Sequence, residues 1–88
     1  MRRSKSYYRQ QKRDMIRILT RSQSYWQAES ARWHQMVDKL SAILVGCSDE
    51  QVGGAREVLG DFREWANEAD AYVRHETREL KKWRAKRI

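Results

Sequence analysis

The chain has 88 residues, a formal net charge of +7 and 35% charged residues. A chain of this length has room for one small domain, whose own core is marginal. Proline is absent and only four residues are glycine, which favours long helices over sheets. The single cysteine, Cys47, excludes an intrachain disulfide framework and favours a reduced, cytoplasmic setting.

Neither the start of the chain nor its apolar runs indicate a membrane or secretory segment. The chain begins with the basic stretch MRRSK, but no apolar stretch follows it, so we expect no secretory signal. The longest apolar run, residues 42–45, is far too short to span a bilayer.

The first predicted helix covers about residues 4–45, a stretch without glycine or proline. Apolar side chains recur there every seven residues, which predicts an amphipathic helix with one apolar stripe. The lines of the stripe are Leu19, Trp26, Trp33 and Leu40; Tyr8, Met15, Met36 and Ile43; and the flanking Ile16, Val37 and Leu44. Ser22 and Glu29 interrupt the second line and weaken the middle of the stripe.

A turn is predicted at residues 46–48, followed by a second helix over about residues 49–86. Gly46 suits the left-handed position that ends many helices. Ser48 and Gln51 have the spacing of a capping box, and the acidic residues between them favour a helix N-terminus. The apolar lines of this helix are Val52, Leu59, Ala66, Val73 and Leu80, and Ala55, Phe62, Ala69, Glu76 and Trp83.

The predicted fold is therefore all-α: a long antiparallel two-helix hairpin resembling a coiled coil. Folding the chain tightly at Cys47 predicts that large side chains face small ones, as close packing requires. The expected pairs are Leu40 with Gly54, Trp33 with Gly60 and its neighbours, and Trp26 with Ala66 and Ala69. In the alternative interpretation, Gly53 and Gly54 only fray the start of the second helix.

A two-helix hairpin leaves apolar side chains beside its stripes uncovered. Trp65, Tyr72, Ile16 and Val37 flank the stripes, and exposed apolar faces of this kind mark interaction sites. Two copies of the hairpin would cover them by forming a four-helix bundle, so we expect a homodimer. The predicted partner-binding residues are Trp26, Trp33, Trp65 and Tyr72.

Charge is distributed unevenly along the chain. Residues 1–21 have a net charge of +7, residues 74–88 of +5, and residues 22–73 of −5. Because a hairpin brings both termini to one end, we expect a strongly basic end and a more acidic turn. A solvated end that serves only solubility is the simplest interpretation, but self-repulsion there also favours an anionic partner.

Three partners could neutralise the basic end. The first is a sequence-tolerant nucleic acid, since no specific DNA- or RNA-binding motif is present. Its predicted phosphate-binding residues are Arg9, Lys12, Arg13, Arg17, Arg78, Lys82 and Arg84, with Tyr7, Tyr8 and Trp83 stacking on bases. The second is an acidic protein, either unrelated or a second copy packed antiparallel. The third, a membrane surface, is disfavoured because the apolar side chains it would bind also form the core of the hairpin.

Sites of chemistry are not predicted. The pairs His75 with Glu79 and His34 with Asp38 have the spacing of metal ligands on a helix but lack a third ligand. Cys47 has no second cysteine or histidine beside it. We therefore expect no enzyme, no metal and no cofactor. The sequence predicts an adaptor that self-associates and docks on an acidic protein, with nucleic-acid binding as the alternative.

Overall fold

A computed structural model describes residues 4–87 of the chain. This part consists of two helices, α1 (Lys5–Leu44) and α2 (Asp49–Ala85), and contains no strand. The two helices run antiparallel side by side, and the molecule measures 69 × 19 × 14 Å. The predicted all-α hairpin is confirmed, while its completion to a four-helix bundle by a second copy stays a prediction.

Local signals explain where the helices begin and end. The Ser4 hydroxyl accepts a hydrogen bond from the Tyr7 backbone N–H at 3.3 Å and caps the start of α1. Gly46 has a φ of 86°, the left-handed conformation that favours glycine after a helix. The Ser48 backbone N–H donates to Gln51 Oε1 at 3.0 Å, as the predicted capping box requires.

The core is a narrow seam between the helices. Its buried apolar residues are Leu19, Val52, Leu59, Ala66, Ala69 and Leu80. Five of these six lie on the lines predicted for α2, so the seven-residue spacing identified the buried side of that helix. A core of this size is small for a molecule 69 Å long, and most side chains remain in contact with solvent.

The predicted packing of large side chains against glycines is wrong. A Cβ atom built on Gly53, Gly54 or Gly60 would meet nothing within 4 Å, so all three glycines face open space. Both Gly53 and Gly54 lie within the helical range of α2. The glycines point away from the seam, because they lie on seven-residue lines of α2 whose other members are all exposed. Trp33 packs against Phe62, a neighbour of Gly60, and against Trp65. Facing residues on α2 lie about one turn further along than a tight fold at Cys47 implied.

One carboxylate is buried in the seam. Glu76, which the sequence places on an apolar line of α2, is only 9% exposed. Its Oε2 has no hydrogen-bond partner among the described residues, and its Oε1 lies 3.8 Å from His75 Nδ1. A buried acceptor without a partner is unfavourable for stability.

Candidate interaction surfaces

The hairpin presents a cluster of aromatic rings on one side of its seam. We call this cluster the aromatic face; it consists of Trp26, Trp33, Phe62, Trp65 and Tyr72. Trp26 and Tyr72 are stacked, with ring centroids 4.3 Å apart and an interplanar angle of 18°. Trp33 meets Trp65 at 4.8 Å and Phe62 at 5.4 Å. The four predicted partner-binding residues thus form two pairs of rings that meet between the helices.

The outer rings of the aromatic face are only half covered. Trp65 is 43% exposed and Tyr72 is 47% exposed, whereas Trp26 and Trp33 are half-buried. Two further apolar side chains extend the exposed surface and were missed from sequence. Val58 shares the seven-residue line of Trp65, and Tyr25 packs edge-on against Trp26 at 5.0 Å. The line through Val58, Trp65 and Tyr72 was visible in the sequence; Tyr25 was not, because it lies beside the stripe.

The carboxylate of Glu29, in the middle of the α1 stripe, has its partners within the same helix. The indole N–H of Trp33 donates to Glu29 Oε2 at 3.2 Å, and Arg32 forms an ion pair with the same carboxylate at 3.4 Å. The Arg32 guanidinium also lies 5.2 Å from the centroid of the Trp33 ring. Glu29 therefore orients Trp33 at the seam and does not interrupt the aromatic face.

The opposite side of the seam is polar. We call it the polar face; its side chains are Gln23, Ser30, His34, Asp70 and Thr77. The Ser30 hydroxyl donates to Asp70 Oδ1, and His34 Nε2 is bonded to Asp70 Oδ2 at 2.9 Å. Gln23 Nε2 donates to Thr77 Oγ1 at 2.9 Å. Hydrogen bonds from the Ser30 hydroxyl and from His34 hold the pKa of Asp70 below its usual value.

The histidines considered as metal ligands from sequence have other neighbours. His34 bonds across the seam to Asp70 rather than meeting Asp38 on its own helix. The carboxylate of Glu79 pairs with Lys82 at 3.4 Å, and His75 Nδ1 lies 3.8 Å from Glu76 Oε1. Residues 4–87 contain no group of three potential metal ligands. The exposed Cys47 thiol donates to the Ile43 carbonyl at 3.4 Å.

At the basic end, residues from both helices line an open groove. The groove is lined by Lys5, Tyr8, Lys12, Arg84, Ala85, Lys86 and Arg87. Lys12 Nζ crosses it and donates to the Lys86 carbonyl at 2.7 Å and to the Arg84 carbonyl at 3.3 Å. A cation from α1 therefore satisfies carbonyl groups at the C-terminus of α2, where positive charge is favourable.

The predicted phosphate-binding residues are only partly brought together. Lys12 and Arg84 line the groove, whereas Arg13, Arg17 and Lys82 contact neighbours on their own helices. These neighbours are Gln10, Asp14 and Glu79, at 2.8, 2.5 and 3.4 Å. Arg9 and Arg78 are exposed but do not line the groove. Arg2 and Arg3, which contribute to the predicted basic end, lie outside the described residues.

The three predicted stacking residues differ in accessibility. Tyr7 and Tyr8 pack edge-on at 5.5 Å, and each keeps more than two fifths of its surface exposed. Trp83 is half-buried, and Lys86 Nζ lies 3.6 Å from its ring centroid. Because one face of the Trp83 ring is already occupied by a cation, Tyr8 is the better placed ring for a ligand in the groove.

Comparisons with models of protein families, with curated proteins and with solved structures find no match to this chain. Among residues 4–87, neither helix combines the length and the apolar character needed to cross a membrane.

Proposed function

We propose that this protein is a non-enzymatic helical adaptor, which self-associates through its aromatic face and docks an acidic partner protein at its basic end. The observation that carries the proposal is the arrangement of the aromatic face. Rings from the two helices pair there, Trp26 with Tyr72 and Trp33 with Trp65, and the outer rings of both pairs, Trp65 and Tyr72, remain nearly half exposed.

Covering these rings would contribute a large free energy for a hairpin with so small a core. An aromatic side chain buries about 150–250 Å² when fully covered, so each half-exposed ring still offers about 100 Å². At about 25 cal/mol per Å², covering one such ring contributes about 2.5 kcal/mol. Tryptophan and tyrosine are also the residues that most often dominate binding energy at interfaces.

The basic end supports docking of an acidic partner. Five cationic side chains line its groove, and among these only Lys12 makes a hydrogen bond to the opposite helix. Charge of one sign concentrated at one end accelerates and orients association with an oppositely charged protein. The aromatic face provides affinity in this scheme, and the basic end provides direction.

Substitution of Trp65 tests the proposal. We expect Trp65→Ala to weaken self-association by about 30-fold or more, as for an aromatic residue at the centre of an interface. Sedimentation equilibrium measures the association constant, and circular dichroism verifies that helicity is retained. Trp83→Ala is the matched control, because it removes the same side chain at the basic end. An association constant unchanged by Trp65→Ala contradicts the proposal.

Nucleic-acid binding is a second candidate function, favoured by the groove between the helix ends. Lys12, Arg84 and Tyr8 meet there, so phosphates and a base could be contacted together. We expect binding to an arbitrary duplex to weaken with salt, with a log–log slope of about −0.9 per phosphate contact. Fluorescence anisotropy with a duplex and a single strand, at low and near-physiological salt, measures this.

One double variant separates the two candidates. Arg13→Glu with Arg84→Glu should abolish nucleic-acid binding but only slow association with an acidic protein, because charge there controls mainly the rate. Conversely, Trp65→Ala should leave nucleic-acid binding intact. Absence of nucleic-acid binding at near-physiological salt would remove the second candidate and leave the first.

A further inference from the structure

We infer that α2 packs antiparallel against α2 of a second copy of this chain, about a two-fold axis that passes between Ala71 and Tyr72. This inference rests on the self-association proposed above and specifies its geometry. It comes from a line of charged side chains on α2 that the adaptor function leaves unexplained.

The line consists of Asp61, Glu68, His75 and Lys82, which we call the charged row. These residues are seven apart, so they share one side of the helix, and all four are exposed. Asp61, Glu68 and His75 each lie three or four residues from a member of the line Val58, Trp65 and Tyr72, which places this part of the charged row directly beside the exposed part of the aromatic face. Lys82 continues the charged row toward the basic end.

The charge of this row changes sign midway along the helix. Asp61 and Glu68 lie toward the turn and make no ion pair among the described residues. Lys82, toward the basic end, has a side chain that is 70% exposed and makes only an intrahelical pair with Glu79. His75 has a side chain that is 57% exposed. The acidic side chains in one half of the row therefore have no ion pair in the described part of the chain, and Lys82 and His75 are accessible in the other half.

An antiparallel pair of α2 helices matches these halves to each other. With the axis between Ala71 and Tyr72, Asp61 lies opposite Lys82 of the second copy, and Glu68 lies opposite His75 of the second copy. A parallel pair would place each residue opposite itself, like charge against like charge. The charge pattern therefore selects a second copy and the antiparallel direction, because an isologous interface must be complementary to itself.

The lines on either side of the charged row fit the same axis. On the outer side, Glu64 lies opposite Arg78 of the second copy, and the small side chain of Ala71 lies beside its own symmetry mate. On the inner side, Tyr72 meets Tyr72 of the second copy above the stacked Trp26 ring. A shallow groove lined by Glu68, Ala71, Tyr72 and His75 lies at the axis in the single hairpin.

The position of the axis also agrees with the molecule as a whole. The contact between Trp26 and Tyr72 lies close to the middle of α1, so the aromatic face lies midway along the hairpin. Rotation about an axis at that point brings the basic end of each copy beside the acidic first half of α2 in the other. One arrangement therefore covers the exposed rings and neutralises the repulsion at the basic ends.

Exchange of charges within the row tests this geometry. Asp61→Lys puts a lysine opposite Lys82 twice in the dimer, and Lys82→Asp puts two aspartates opposite each other. At low salt, where ion pairs are least screened, we expect each variant alone to associate about tenfold more weakly than the wild type. An equimolar mixture of the two variants should form a heterodimer with an association constant close to that of the wild type.

Matched controls lie outside the row. Asp38→Lys and Arg63→Asp change the net charge by the same amounts as the two test variants but lie off the proposed interface. We expect neither control to weaken association, and their mixture should show no preference for heterodimers. Sedimentation equilibrium gives the constants, and differently labelled chains reveal heterodimers by energy transfer.

The outcomes distinguish this inference from the proposed function. If both single variants associate as tightly as the wild type while Trp65→Ala does not, a dimer forms with another geometry. The inference is then overturned and the proposed self-association stands. If the wild type remains monomeric throughout the concentration series, both fail. Weak single variants with a restored mixture establish the antiparallel pairing.

Discussion

The two faces of the hairpin differ in how their side chains are satisfied. On the polar face, donors and acceptors from α1 and α2 pair across the seam, with Asp70 bonded to both Ser30 and His34. On the aromatic face, rings from the two helices stack, yet Trp65 and Tyr72 keep nearly half of their surface in water. The side chains of the polar face find their hydrogen-bond partners within one chain, whereas the aromatic face leaves apolar surface exposed to water.

This difference indicates which face offers a partner the larger free energy of binding. A partner on the polar face would compete with hydrogen bonds already made and would gain little net free energy. A partner on the aromatic face would replace only water against apolar surface, which is favourable throughout. The hairpin therefore has one side whose polar groups are already paired and one side that still exposes apolar surface.

Removal of the ring that anchors the aromatic face should have the largest effect on the fold. Trp33 contacts both Phe62 and Trp65, so we expect Trp33→Ala to lower the free energy of unfolding by about 3 kcal/mol. Urea denaturation followed by circular dichroism measures this. Trp65→Ala, at the exposed edge, should cost much less in a monomer. Equal losses of unfolding free energy in the two variants would show that Trp65 stabilises the fold as much as Trp33 does.

Replacement of the buried carboxylate in the seam should stabilise the protein. Glu76 Oε2 is buried without a hydrogen-bond partner, so Glu76→Leu should raise the free energy of unfolding by about 2 kcal/mol. The exposed Glu57→Leu is the control and should give no gain. Destabilisation by Glu76→Leu would show that the carboxylate has a stabilising partner, and the seam would then be as well satisfied as the polar face.

The polar face should make stability depend on pH. Because the folded pKa of Asp70 is lowered, its contribution is fully present above the unfolded pKa, about 4, and is lost as pH falls through the folded pKa. We expect Asp70→Asn to cost about 1.5 kcal/mol near neutral pH. Thermal unfolding of wild type and variant at pH 7 and pH 3 measures the difference, which should shrink at the lower pH. A loss independent of pH would contradict the role of the charge.

A substitution outside both faces separates stability from assembly. Gly60 lies within α2 and faces open space, so Gly60→Ala should raise the free energy of unfolding by about 1 kcal/mol through helix propensity alone. The control Gly46→Ala should destabilise, because its φ of 86° disfavours a side chain. Thermal unfolding measures both. Self-association should be unchanged by Gly60→Ala, and a weakened dimer would show that the interface includes Gly60, which the inferred packing of α2 leaves uncovered.

Most of the local structure was predictable because it depends on neighbours in sequence. The helices predicted at about 4–45 and 49–86 are observed as Lys5–Leu44 and Asp49–Ala85. The helix-capping signals involve only residues within one turn of each other, so they can be recognised from sequence alone. They are Ser4, Gly46 and the Ser48–Gln51 pair. The same holds for Trp65 and Tyr72, whose position beside the apolar line predicted their exposure.

The residues that meet across the seam could not be predicted from sequence, because they depend on how the two helices pack. Sequence patterns predict two amphipathic helices, a turn and a basic end, but a shift of one turn, about 5.4 Å, preserves each apolar line while changing every partner. That shift brought Asp70 to Ser30 and His34. It also placed Lys12 on the carbonyl groups of α2. Register depends on how whole side chains pack between helices, and packing is not a property of either helix alone.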